Sequence, residues 1–142
     1  PGSVEAQTII DAVRDYRQQT DRPLAILGFA GSDLIKRAQD EHLKTANEAF
    51  ADRSYTPEGW LVARTEPGAL ITDPTEALVR LKRLLRDREI VAIDGTPIDV
   101  RADSICIHGD TPGAVVLARR VRAAIDSDRV KIAPFAPPPR AA

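Results

Sequence analysis

The run Leu24-Ala25-Ile26-Leu27-Gly28-Phe29, which leads directly into Ala30-Gly31-Ser32, indicates the fold of this chain. A nearly unbroken apolar run of this length predicts a strand that is buried on both faces, as a parallel sheet requires. Ser32 is suited to cap a helix that continues to about residue 41, because its hydroxyl can accept a backbone N–H. The apolar face of that helix comprises Leu34, Ile35 and Ala38.

The same alternation of strand and helix extends over most of the chain. Helices are predicted over residues 4–20, 73–86 and 110–126, strands over 44–51, 104–107 and 130–133, and a hairpin over 90–100. Strands that alternate with helices form parallel sheets with right-handed crossovers, so we expect an α/β protein with helices flanking a parallel sheet. The four principal strands are too few to close a barrel by themselves. A sheet edge is therefore open to self-association or to another chain.

Short motifs set the expected ends and faces of the later elements. Asp73 is expected to cap a helix with Pro74 at its first position and Glu76 in a capping box. Its apolar face comprises Leu78, Leu81, Leu84 and Leu85, and its expected solvated basic residues are Arg80, Lys82, Arg83 and Arg86. Asp94-Gly95 predicts a two-residue hairpin turn. The last helix is expected to be capped by Asp110 or Thr111 and to bury Val115, Ala118, Val121 and Ile125.

Composition limits the classes of function. Hydrophobic residues make up 43% of the 142 residues and the net charge is −1, which predicts one globular domain that binds neither nucleic acid nor an anionic membrane. The apolar runs are too short for a membrane span. Cys106 is the single cysteine, so no internal disulfide is possible and a cytoplasmic location is expected. Residues 1–3 look like an expression scar, and the proline-rich residues 134–142 predict an extended tail.

Three strand ends could carry chemistry, because active sites in parallel α/β folds gather at the carboxyl ends of strands. At the first, the helix start at Gly31-Ser32 could hold an anion, or it is a plain turn. The chain has no Walker A motif, so a nucleotide would need another kind of site.

The second strand end opens a loop without periodicity over residues 52–72, a length that is typical of functional or disordered segments. Asp52, Arg53 and Tyr55 could together bind and protonate a polar substrate. Glu48 lies four residues before Asp52, and on a continuous strand both carboxylates would share a face and could divide acid and base roles. Alternatively, Asp52 and Arg53 form a salt bridge that only pins the loop.

The third strand end carries His108-Gly109-Asp110. A histidine there can take up a proton near neutral pH, and Asp110 could orient it or simply cap the next helix. The other histidine, His42, lies near the end of a polar helix, where meeting the helix dipole is explanation enough. Cys106 lies within the strand and is interpreted as core packing.

Three segments together resemble the LamB/YcsF family. Residues 48–59, EAFADRSYTPEG, are similar to the hallmark segment of that family, and residues 102–110, ADSICIHGD, are similar to a second one. A weaker similarity covers residues 27–32, LGFAGS. The resemblance extends over nearly all of residues 4–133, which it identifies as the C-terminal part of one barrel domain.

The resemblance implies a fold and an activity. The family's fold is a seven-stranded (β/α) barrel of the glycoside hydrolase/deacetylase type, of which this chain would form a part. The implied reaction opens the lactam 5-oxo-L-proline to L-glutamate with hydrolysis of ATP, with Mg²⁺ expected and no organic prosthetic group. The implied enzyme is an ATP-dependent 5-oxoprolinase, in which the A subunit that this chain resembles works with subunits B and C.

The resemblance also implies roles for individual residues. The catalytic residues would be Asp52 and His108, supported by Glu48 and Asp110. The residues that bind a substrate carboxylate or phosphate would be Arg53, Tyr55 and Arg64. Two other functions stay open, namely a metal hydrolase like the polysaccharide deacetylases, by analogy of fold, and a non-catalytic assembly module that docks through its sheet edge.

Three segments of the family's N-terminal half are absent from this chain. They are Asp-Leu-Asn-x-Asp-x-Gly-Glu, Gly-x-His-x-Gly-Asp and Lys-Pro-His-Gly. Several expected acid, base and ligand groups belong to these segments, so we expect a C-terminal fragment that is inactive alone.

Overall fold

The computed structural model describes residues 3–20, 22–110, 113–128 and 130–135. The helices are α1 (Ser3–Thr20), α2 (Asp33–Asp40), α3 (Pro74–Asp87) and α4 (Ala114–Ser127). The strands are β1 (Ala25–Phe29), β2 (Lys44–Phe50), β3 (Glu89–Val91), β4 (Pro97–Asp99) and β5 (Ser104–Cys106). One sheet has the order β1-β2-β5, and β3 and β4 form a second sheet. The chain divides into two compact units, one up to Glu48 together with residues from Ala133 onward, and one from Ala49 to Ile132.

In the first unit, a parallel strand pair packs with two helices. β1 pairs with β2 from Ala25 opposite Lys44 to Phe29 opposite Glu48. The apolar core of this unit comprises Ile10, Ile26, Ile35, Ala38 and Leu43. Parallel strands joined through a helix confirm the predicted α/β class.

The sequence around β1 folds as predicted at one end and differs along the strand. The Ser32 hydroxyl caps α2 by accepting the Ile35 N–H at 3.4 Å. The prediction that β1 is buried on both faces is wrong, because Leu27 is 41% exposed whereas Ile26 is 6% exposed. The burial alternates because the apolar core of this unit covers the face that carries Ile26.

The second unit is built around α3 and α4. Their shared core comprises Ile71, Ala77, Leu81, Leu117, Val121 and Ala124. Asp73 caps α3 as predicted, since its Oδ1 accepts the Thr75 N–H at 2.9 Å and Pro74 occupies the first turn. Arg88, with a φ of 57°, ends the helix by donating its N–H to the Leu84 carbonyl at 3.0 Å.

The buried face of α4 differs from the predicted one. Leu117 and Val121 are buried, whereas Val115 is 67% exposed and Ala118 is also exposed. The five successive apolar residues 114–118 are compatible with several helical phases. Packing against α3 selects the phase that contains Leu117.

The start of α4 also differs from the prediction. Its N-cap residue is Gly113, with a φ of 81°, and no side chain accepts a cap hydrogen bond there. Asp110 is therefore not the cap, because the helix begins four residues after it. Thr111, the other predicted cap, and Pro112 lie outside the described residues.

The predicted hairpin is present, but its turn is not the two-residue turn predicted at Asp94-Gly95. β3 and β4 are antiparallel. The Gly95 N–H donates to the Ala92 carbonyl at 3.0 Å, so Ile93 and Asp94 are the central residues of the turn. Gly95 follows them with a φ of 92°, which glycine adopts without strain.

Two further strand predictions need correction. Residues 130–133 are exposed and form no strand, because their apolar alternation meets no partner strand in the described part of the chain. β5 is half-buried rather than buried. Residues 1–2 of the predicted scar and residues 136–142 of the predicted tail lie outside the described residues. The seven-stranded barrel stays a prediction.

Candidate functional site

Hydrogen bonds order the long loop between β2 and α3. The Ser54 N–H donates to the Ala69 carbonyl at 3.0 Å, and the Ser54 hydroxyl donates to the Gly68 carbonyl at 2.6 Å. The Ile71 N–H donates to the Asp52 carbonyl at 2.9 Å. These bonds tie the two arms of the loop together and fix Asp52 directly after the end of β2.

The carboxylate of Asp52 binds His108 at two points. Oδ1 of Asp52 lies 2.9 Å from Nδ1 of the imidazole, and Oδ2 accepts the backbone N–H of His108 at 3.0 Å. The Asp52 side chain is 0% exposed and the His108 side chain is 22% exposed. A buried carboxylate needs hydrogen-bond donors, so His108 stabilises the fold as well as facing solvent in part.

This geometry selects the position of the imidazole hydrogen. A carboxylate only accepts hydrogen bonds, so Nδ1 of His108 carries the hydrogen and Nε2 carries the lone pair. The ring can take a second proton at Nε2, and the charge of Asp52 stabilises the imidazolium that forms. The pair can therefore act first as a general base and then as a general acid.

An aromatic ring covers one face of this imidazole. The Phe50 ring stacks on His108, with 5.4 Å between the ring centroids and 15° between the planes. The backbone N–H of Phe50 donates to the Tyr55 hydroxyl at 2.9 Å. Phe50 thus links the imidazole to the loop that begins after β2.

Tyr55 is a buried member of the same group of residues, with 1% of its surface exposed. Burial raises the pKa of its phenol to about 12, although the hydrogen bond from Phe50 and the positive charges of Arg80 and Arg53 act in the opposite direction. The phenol is therefore neutral at physiological pH. In this conformation Tyr55 has almost no surface that a substrate could contact.

Arg53 pins the loop through a carbonyl group rather than through the salt bridge of the alternative interpretation. It is 6% exposed, and its Nη2 donates to the Val62 carbonyl at 2.6 Å. Its Nε is buried without a hydrogen-bond partner among the described residues. The Asp52 carboxylate is directed at His108 instead.

Arg80 corrects the expectation that the basic residues of α3 are all solvated. Lys82, Arg83 and Arg86 are exposed in whole or in part, but Arg80 is only partly exposed, and burial lowers the pKa of its guanidinium. Arg80 lines a cavity of about 10 Å³, space for roughly one water molecule. The other lining residues are Phe50, Ala51, Leu81, Leu84, Ile90 and Ile105.

Arg64 and Asp110 lie at the surface. Nη1 of Arg64 is 3.8 Å from Oδ2 of Asp110, and the two side chains are 52% and 75% exposed. An exposed ion pair at this distance contributes little stability. Both groups can therefore rearrange around a ligand at small energetic cost.

Glu48 is not aligned with Asp52 as expected from a continuous strand. Glu48 lies within β2 opposite Phe29, and its carbonyl accepts the Ala30 N–H at 3.0 Å. β2 ends at Phe50, so Asp52 lies beyond the strand. The alternation of faces along β2 does not extend to Asp52.

The residues of this site lie within a stretch that matches one protein family. The LamB/YcsF family matches residues 3–139, a range that includes both Asp52 and His108. The chain belongs to the LamB/YcsF family. The resemblance in the hallmark segments is thereby confirmed.

Named relatives and a solved structure agree with this family. The 5-oxoprolinase A subunit of Paracidovorax citrulli (strain AAC00-1) is 47% identical over 132 residues, which cover 93% of this chain and 51% of that protein. A 5-oxoprolinase A subunit of Pseudomonas syringae pv. tomato, the third that carries this name, is 44% identical over 132 residues, covering 93% and 50%. A crystal structure of the lactam utilization protein from Thermus thermophilus matches with a TM-score of 0.78 and 35% identity, covering 89% of this chain and 49% of that one. The chain spans about half the length of the curated relatives that it matches.

Sequence reasoning missed two residues of this LamB/YcsF site. Phe50 stood in the hallmark segment without a role, and its one signal is an aromatic ring two positions before Asp52. Arg80 appeared as one of several basic residues on an amphipathic helix. Its partial burial depends on the packing of α3 and has no local sequence signal.

Other features of this LamB/YcsF chain carry less chemistry. Among the described residues, no group of three His, Cys, Asp or Glu side chains could hold a metal ion. At the first strand end, the Ser32 hydroxyl already accepts the Ile35 N–H, which favours the plain-turn interpretation. No helix in the described ranges has both the length and the apolar character needed to cross a membrane.

Proposed function

We propose that this chain is part of the A subunit of a 5-oxoprolinase, in which Asp52 and His108 help to open 5-oxo-L-proline to L-glutamate with ATP hydrolysis. The observation that carries the proposal is the bond between Asp52 Oδ1 and His108 Nδ1, at 2.9 Å. Similarity to proteins named as 5-oxoprolinase A subunits, and to one named lactam utilization protein, supports the choice of a lactam substrate.

In this proposal, His108 and Asp52 move one proton through the hydrolysis. A water molecule attacks the lactam carbonyl carbon and gives a proton to Nε2 of His108, while Asp52 holds the Nδ1 hydrogen and stabilises the imidazolium. As the carbon–nitrogen bond breaks, that proton passes from Nε2 to the departing nitrogen, which becomes the amine of glutamate. Asp52 stays ionised, and His108 returns to its neutral form.

Substrate binding is proposed for the most accessible of the three predicted binding residues. The Arg64 side chain is 52% exposed, and its loose pair with Asp110 leaves guanidinium donors available for the carboxylate of 5-oxoproline. Arg53 and Tyr55 contribute through the shape of the loop, because both are buried. Glu48 and Asp110 keep a supporting role as a proposal.

The described residues offer no evident place for ATP or Mg²⁺. They contain no cluster of three acidic, histidine or cysteine side chains for a metal ion, and the sequence has no Walker A motif. No step is therefore derived through either one. We place both, together with the strands that would complete a barrel, in the remaining length of the relatives or in subunits B and C, and we propose a cytoplasmic location.

ATP-dependent release of glutamate from 5-oxoproline tests this proposal. The chain is mixed with subunits B and C, with and without a polypeptide that supplies the other half of the relatives' length. We expect turnover only in the complete mixture and only with ATP. Metal-dependent removal of acetyl groups from a sugar polymer would favour the deacetylase alternative, and no turnover with all components folded would favour the non-catalytic module.

A further inference from the structure

A series of contacts leads from a buried phenol to the imidazole of His108. The Tyr55 hydroxyl accepts the backbone N–H of Phe50 at 2.9 Å. The Phe50 ring in turn stacks on the imidazole with 5.4 Å between centroids. Tyr55 is 1% exposed, so close packing fixes its hydroxyl in place.

We infer that Phe50 and Tyr55 are positioning residues for His108, an inference that rests on the proposed role of His108 in lactam opening. Asp52 holds one edge of the imidazole through Nδ1, but that bond alone allows the ring plane to tilt. The Phe50 ring, inclined by 15° to the imidazole, restricts that tilt. Together the two contacts fix the direction in which Nε2 points, and proton transfer depends on that direction.

Tyr55 acts one step further from the imidazole. Phe50 is the last residue of β2, and its N–H is bound by a side-chain hydroxyl. Removal of that hydroxyl leaves the Phe50 N–H without this acceptor in a poorly hydrated place. The strand end, and the ring of Phe50 with it, is then less firmly held against His108.

NMR of the imidazole measures this positioning independently of activity. The chain has two histidines, so a His42→Gln variant assigns the ¹⁵N-labelled ring signals of His108. We expect the Nδ1–H tautomer and ring protons that are shifted upfield by the ring current of Phe50. Phe50→Leu should remove the upfield shift and lower the population of the Nδ1–H tautomer, whereas Phe50→Tyr, which keeps an aromatic ring, should preserve both signals.

Kinetics of the complete enzyme measure the consequence for catalysis. Phe50→Leu should lower kcat roughly tenfold and change KM less than about twofold, because the orientation of a catalytic group is lost and substrate binding is not. Tyr55→Phe should act in the same direction on kcat and on the NMR signals. Phe135→Leu and Tyr16→Phe carry the same chemical changes at exposed positions of the first unit and serve as controls.

The outcomes separate this inference from the proposed function. Unchanged imidazole signals in Phe50→Leu would overturn the inference, whatever the activity. Changed signals with kcat at the wild-type value would overturn the catalytic importance of the positioning. If the wild-type enzyme does not turn over 5-oxoproline, the proposed function fails, while the NMR signals still decide whether Phe50 orients the ring. If Phe50→Leu does not fold, Tyr55→Phe decides by the same signals.

Discussion

The Asp52 carboxylate accepts both the Nδ1 hydrogen and the backbone N–H of His108, at 2.9 Å and 3.0 Å, across a sequence separation of 56 residues. The backbone bond fixes the turn after β5, and the ring bond sets the tautomer of the imidazole. One buried carboxylate therefore contributes to both the fold and the proposed chemistry. Substitutions at the two residues should affect stability and activity in separable ways.

Removing the imidazole should destabilise the second unit. His108→Ala leaves the buried Asp52 carboxylate without its ring partner, and we expect the free energy of unfolding to fall by about 3–5 kcal/mol. The double variant Asp52→Ala/His108→Ala should recover part of this loss, because no uncompensated charge remains buried. Urea unfolding of the single and double variants measures both effects.

The matched control for this cycle is the other histidine. His42 is exposed and has a φ of 57°, a conformation that asparagine tolerates, so His42→Asn should change stability by less than about 0.5 kcal/mol. Strictly additive losses at Asp52 and His108 would show that the two side chains are not coupled.

Tyr55 should make the fold sensitive to alkaline pH. Its phenol keeps its proton in the folded state up to a pKa of about 12, whereas the unfolded chain loses it near the ordinary phenol pKa of 10.0. Between those values the folded state binds more protons, so stability is full below pH 10 and falls as the pH rises towards 12. The loss attributable to Tyr55 is roughly 2–3 kcal/mol.

The comparison of two tyrosine variants isolates this effect. Unfolding free energies at several pH values should fall less steeply for Tyr55→Phe than for the wild type. Tyr16, which is 39% exposed, provides the control, and Tyr16→Phe should keep the wild-type slope. Equal slopes for Tyr55→Phe and the wild type would mean that the phenol ionises without a penalty in the folded state.

Arg64 should affect binding more than turnover. Arg64→Ala removes the guanidinium proposed to hold the substrate carboxylate, so KM for 5-oxoproline should rise roughly tenfold with a smaller change in kcat. Arg122 is 63% exposed and also forms an ion pair, with Asp126, so Arg122→Ala is the matched control. Equal kinetics for the two variants would remove Arg64 from the binding site.

Helix starts could be predicted where one side chain determines them. Ser32 and Asp73 each accept a backbone N–H of the first turn, and that preference is visible in the sequence. α4 starts at Gly113 without a side-chain cap, so no local signal marks its first turn. The buried face of α4 was also mispredicted, because only the packing of α3 distinguishes Leu117 from Val115.

The candidate site could be predicted residue by residue but not as an arrangement. Asp52 and His108 each follow an apolar strand, and the topology of parallel sheets brings such ends together. Their direct bond, the stack of Phe50 and the hydroxyl of Tyr55 depend on the bonds that fold the loop after β2. Those bonds join residues far apart in the loop, as between Asp52 and Ile71, and leave no periodic pattern in the sequence.

Glutamate release by the complete enzyme carrying His108→Asn tests the central claim most directly. The asparagine amide can still donate to the Asp52 carboxylate, so the fold is preserved while the proton-accepting Nε2 is lost. We predict that His108→Asn lowers kcat by about a hundredfold or more, and that His42→Asn keeps the wild-type rate. Wild-type turnover by folded His108→Asn would contradict the assignment of His108 as the catalytic base.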